Sequence, residues 1–106
     1  MQKTIELPKA DFKVDLYDNG DVDGDIITVY FNGSVVASKK TLSGQPITLQ
    51  LKANPNLKNE LVMYAENLGK IPPNTALMKI TASDQVYEVR IESDDKQSGS
   101  VQFKLK

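Results

Sequence analysis

Apolar and polar residues alternate with a period of two along nearly the whole chain, and that spacing fits strands with one buried and one wet face. Phe12, Val14 and Leu16 fall on one face, opposite Lys13, Asp15 and Tyr17. Ile27, Val29 and Phe31 alternate with Ile26, Thr28 and Tyr30, a second face apolar enough to predict a central strand. Asn32-Gly33 follows at once, and because both residues tolerate positive φ, the segment from Val35 to about Leu42 should return antiparallel. Pro46 can open the next strand, where Ile47, Leu49 and Leu51 share a face. Ala76, Met78 and Ile80, then Tyr87, Val89 and Ile91, and finally Val101, Phe103 and Leu105 repeat the pattern. Breaks rich in Ser, Gly and Asp at 43–45, 82–85 and 93–100 separate these runs, the last reading as a polar hairpin loop. The expected fold is all-β: an antiparallel β-sandwich of about eight strands, Ig-like in broad architecture.

Two segments are less determined. Leu57, Leu61, Tyr64, Ala65 and Leu68 form a helical stripe that Asn56 could cap, Gly69 end and Pro72 stop. The same stretch reads as a buried strand, with Leu61, Met63 and Ala65 on one face and Val62 and Tyr64 on the other; an all-β chain has partners ready for it, which favours strand. Residues 1–10, which include Pro8, read as an edge strand or a loose arm.

At 106 residues and 11.7 kDa the chain is expected to form one domain spanning 1–106. A net charge of −1, with no basic cluster beyond Lys39-Lys40, gives no footprint for a phosphate backbone, so nucleic acid is not an expected partner. No apolar run approaches the roughly 20 residues of a membrane span, and the opening residues do not read as an export leader. The absence of Cys removes disulfides and thiolate sites. With no Trp, an aromatic binding platform would have to come from Tyr17, Tyr30, Tyr64 or Tyr87.

Six of the 14 acidic residues lie between Asp11 and Asp25, and four crowd into the stretch from Asp18 to Asp25. Carboxylates this close repel one another unless an ion, hydrogen bonds or full solvation intervenes. Asn19, Asp21, Asp23 and Gly24 match positions 1, 3, 5 and 6 of a calcium loop, with the Asp25 carbonyl at 7. Position 12 is Tyr30 instead of a bidentate Glu, position 1 is Asn, and the flanks are strands, so an EF-hand is rejected. A calcium loop at a sandwich edge survives, with Asn19, Asp21, Asp23 and Asp25 as candidate ligands and Glu66 or Glu92 completing the set. The competing reading is a bare turn, favoured because Asp, Asn and Gly are turn formers whose side chains bond nearby backbone N–H groups.

A second segment runs from Glu66 to Ala76, stiffened by Pro72 and Pro73. Its Asn67, Asn74 and Thr75 are candidate ligand-binding residues if it meets the acidic loop; the alternative is a proline-ordered turn whose polar side chains satisfy their own backbone. Lys39-Lys40 reads as an edge-strand guard against aggregation. Paired carboxylates raise glycoside hydrolysis, but they sit in one loop. With no His, no Cys and no nucleophile elbow, the expectation is a protein that is not an enzyme.

The run Asp18-Asn19-Gly20-x-x-Asp23-Gly24-Asp25, then Asn32-Gly33, then Glu60-Leu61 to Ala65-x-Asn67-x-Gly69-x-x-Pro72-Pro73-Asn74-Thr75-Ala76, resembles a small β-sandwich domain recurring in bacterial secreted and cell-envelope proteins. The resemblance covers about Val14 to Ile91 and implies a secreted, periplasmic or envelope location. The expected function is a non-catalytic ligand- or glycan-binding module with carbohydrate or protein partners and calcium as a structural clamp. The alternative is a purely structural or protein-interaction domain with no small ligand.

Overall fold

A computed structural model of the chain describes residues 2–18, 26–56, 58–66, 74–93 and 98–105. Among the described residues nine strands form in chain order: β1 Gln2–Leu7, β2 Asp11–Asp18, β3 Ile26–Phe31, β4 Ser34–Thr41, β5 Ile47–Lys52, β6 Asn59–Ala65, β7 Asn74–Ala82, β8 Gln85–Ser93 and β9 Gly99–Leu105. They build a five-stranded sheet in the order β1-β9-β6-β3-β4 and a four-stranded sheet in the order β5-β2-β7-β8. The inner faces of the two sheets close over one core, giving a β-sandwich. The described residues include no helix long and apolar enough to cross a membrane.

Alternation sets which residues enter that core. Val14, Leu16, Ile27, Val29, Leu61, Met63, Met78 and Ile80 are fully buried, as the period-two reading requires. β3 lies between β6 and β4, the central place its two apolar faces predict. Asn32 and Gly33 adopt φ of 52° and 84°, the left-handed pair that a tight β3–β4 hairpin needs. Phe12, Phe31 and Phe103 pack ring to ring, with centroids 4.8 to 6.4 Å apart. These are all the phenylalanines of the chain, and they sit at the end of the sandwich that holds the β3–β4 hairpin.

Three expectations need correction, and one ambiguity resolves. Residues 2–7 form the edge strand β1, but it runs parallel to β9, so the sandwich is not purely antiparallel. Residues 59–65 are strand β6, the favoured of the two readings, clamped between β3 and β9; the helical stripe loses because the ladder hydrogen bonds have partners on both sides. The polar stretch after Ser93 does not close a hairpin, since β8 and β9 belong to different sheets. Pro46 stands just before β5 instead of opening it.

β4 departs from regular pairing. Ile27 pairs with Lys40 but Val29 pairs with Ala37, so Ser38 and Lys39 together face Thr28, and a second irregularity follows before Tyr30. Lys39 takes a φ of 48° at this bulge. Bulges and exposed Lys39 and Lys40 on the outermost strand of the five-stranded sheet fit the edge-guard reading.

Candidate functional site

Strand direction brings the two loop segments to one end of the sandwich. Asp18, where the acidic segment leaves β2, is register partner to Ala76 near the start of β7. The Ile26 carbonyl, where the acidic segment re-enters as β3, accepts from the Glu66 N–H at 2.8 Å, where the proline segment leaves β6. Each segment therefore has one root in each sheet, and the roots are neighbours in both sheets. The β4–β5 connection joins them, as the Asp18 N–H donates to the Ser43 carbonyl at 2.8 Å. The chain after β8 leaves from this end too, because Ser93 is paired with Asn74.

Asn19, Asp21, Asp23, Asp25 and Asn67 lie outside the described residues. Asn74 and Thr75 are placed by their backbone at the start of β7, opposite Ser93 and Glu92, and their side chains lie outside the described residues as well. Glu66, the proposed distant carboxylate, sits beside the Ile26 root, and its Oε2 accepts the Thr28 hydroxyl. Thr28 is buried, and its Oγ1 also accepts from the Lys39 N–H at 3.1 Å. One hydroxyl thus holds the β4 bulge and a loop-end carboxylate together. Among the described residues, no three Asp, Glu, His or Cys side chains gather closely enough to hold a metal ion.

Alternation alone conceals two other polar features. Asp15, expected on the wet face of β2, is 9% exposed; its Oδ1 accepts the Thr48 hydroxyl at 2.6 Å across the β2–β5 pair, with the Lys13 ammonium 3.6 Å from its Oδ2. At the opposite end, Asn59 is 1% exposed and ties three segments: its Oδ1 accepts from the Asn54 N–H and from Asn32 Nδ2, and its Nδ2 donates to the Asn54 carbonyl. The Asn32 side chain in turn accepts the Glu60 N–H at 2.8 Å. The available signal was the density of asparagine at 54, 56 and 59 just before a strand. A cleft of about 450 Å³ opens at this asparagine end, lined by Thr4, Asn54, Lys58, Gln102 and Lys104 among others. Cleft and loop roots are therefore at opposite ends of the molecule.

Among the described residues, the loop end carries the Asp18 and Glu66 carboxylates at the ends of paired strands. No family model matches the chain, and no curated protein or solved structure shows significant similarity to it.

Proposed function

We propose that the chain is a non-catalytic binding module of the secreted or envelope-associated kind, Ig-like in broad architecture. Its recognition surface is the end of the sandwich where the acidic and proline segments are rooted. The observation that carries this reading is the adjacency of the roots, Asp18 beside Ala76 and Ile26 beside Glu66, which ties two polar segments to one platform of paired strands. Calcium at Asn19, Asp21, Asp23 and Asp25 serves as a clamp, and Asn67, Asn74 and Thr75 contact a carbohydrate or protein ligand.

Thermal melting with added calcium tests the clamp. A ligand that binds the native state alone stabilises it by RT ln(1 + [L]/Kd), about 2.7 kcal/mol at a hundredfold excess over Kd. For a domain of this size that raises Tm by roughly 10–20 °C, and Asp23→Asn abolishes most of the rise. An unchanged Tm at millimolar calcium rejects the clamp.

A second reading, a protein-interaction domain with no small ligand, draws on the outer face of the five-stranded sheet. There Val35 is 54% and Tyr64 46% exposed; Val35, Tyr30 and Val62 lie in register, and Tyr64 follows two residues on from Val62. Amide chemical shifts on adding soluble polysaccharides separate the two readings: perturbation at the loop roots supports the first, and silence toward every polysaccharide supports the second.

A further inference from the structure

The four edge strands are not equally guarded. β4 is bulged and carries Lys39 and Lys40; β1 carries Lys3 and runs into Pro8; β5 has six residues, preceded by Pro46 and ended by Lys52. These are the ordinary devices that stop a sheet edge from recruiting another strand. β8 has no bulge, proline, lysine or short length, and its charges, Glu88, Arg90 and Glu92, are of both signs. It is nine residues long, contains no Pro, Gly or Lys, and keeps an unbroken register with β7 from Asn74↔Ser93 to Ala82↔Gln85. Among the described residues β7 is its one hydrogen-bonded neighbour, and no described strand pairs with its other side. Val86 on this strand is 53% exposed.

The side chains of β8 also complement themselves. Val89 and Ile91 face the core at 6% and 4% exposure, while Glu88 and Arg90 are exposed on the outer face. In an antiparallel pair, residues directly opposite share a face, so two copies of β8 can meet in register only when the paired residue numbers have an even sum. A register centred on Glu88 sets that carboxylate against itself, and one centred on Arg90 does the same for the guanidinium. Centring on Val89 overlaps all nine residues and sets Glu88 opposite Arg90 twice. The register with the most backbone pairing thus sets opposite charges against each other at its two central outer-face positions, with Val86 opposite Glu92 on either side of them.

We propose that the chain self-associates through this edge. β8 pairs antiparallel with β8 of a second copy about a two-fold axis through Val89, joining two four-stranded sheets into one continuous sheet. Glu88 faces Arg90 of the partner subunit, and Arg90 faces Glu88 of the partner subunit. Strand addition buries less than a standard interface, so the dimer is weak, with a Kd in the micromolar range or above.

Sedimentation of the full chain from about 1 µM to about 1 mM, the range over which an interface of this class titrates, shows a reversible monomer–dimer equilibrium. Glu88→Arg and Arg90→Glu each set two like-charge pairs across the axis and weaken the dimer by at least about tenfold. The double variant Glu88→Arg/Arg90→Glu restores the pairs with their signs exchanged and returns Kd to within about threefold of the original. Both positions are exposed, so each variant keeps the strand signature in circular dichroism and a cooperative melt. Ser34→Glu, exposed on the bulged edge strand, leaves association unchanged. The proposal is overturned if the chain sediments as a monomer throughout, if a single reversal associates like the parent, or if the double reversal fails to recover.

Discussion

Asn59 is the residue on which the end remote from the loops depends. A buried amide with donor and acceptor both engaged costs little, whereas removing it strands the groups it served. Truncation to Ala leaves the Asn54 N–H and Asn32 Nδ2 without their shared acceptor and the Asn54 carbonyl without its donor. Asn59→Ala should therefore lower unfolding stability by about 2–4 kcal/mol, more than the loss of one net hydrogen bond. Urea denaturation checks this: the midpoint falls while the m-value holds, and a change under about 1 kcal/mol means that water substitutes freely for the amide. Thr28 plays the corresponding part at the loop end, where its hydroxyl joins Lys39 and Glu66. Both residues sit where a strand face meets something other than a flat neighbour, and alternation cannot announce that. Asn59 opens β6, and Thr28 faces a bulge.

At the scale of elements, the turns divide by what their backbone demands. Gly33 holds φ at 84° in a hairpin where an added Cβ meets nothing within 4 Å, so the cost of a side chain there is conformational and not steric. Gly44, between β4 and β5, also has open space, and its φ lies outside the left-handed region. The same substitution should then act with opposite sign at the two sites. Gly33→Ala destabilises by about 1 kcal/mol or more, while Gly44→Ala stabilises by about 0.4–1 kcal/mol by removing freedom from the unfolded chain. Paired thermal melts decide it, and two shifts of the same sign defeat the explanation.

Elements were also where the sequence spoke most clearly. Alternation located β2, β3, β5, β7, β8 and β9 because their core faces bury every second residue, and Asn32-Gly33 marked the β3–β4 hairpin through its φ requirement. What local pattern could not carry was sheet membership. The chain changes sheets after β1, β2, β4, β5, β6 and β8, and a strand looks the same from either side of a sandwich. The polar stretch after β8 therefore read as a hairpin. For the candidate site, composition found the two loop segments but not their adjacency, which arises from pairings between residues as far apart as Asp18 and Ala76.

The whole molecule is closed by its ends. β1 and β9 pair in parallel from Gln2↔Ser100 to Leu7↔Leu105, so the first strand finds its partner after nearly the full chain has been brought together. Loop closure of that length carries an entropic cost that contacts repay only late, whereas the β7–β8 hairpin closes through Ser83 and Asp84 and needs little chain. Folding should accordingly organise around β7 and β8, with β1 docking after the transition state. Leu7 and Ile80 are both fully buried, so truncating either removes comparable packing, about 2–4 kcal/mol. The kinetics should differ. Leu7→Ala acts on unfolding, raising its rate by about 15- to 30-fold for a loss of 2 kcal/mol while the folding rate changes by less than about twofold. Ile80→Ala divides its effect between the two arms and slows folding measurably. Chevron plots of the two variants in urea make the comparison. If Leu7→Ala slows folding as much as Ile80→Ala, the parallel pair is already formed at the barrier, and the closing strand belongs to the nucleus of the fold.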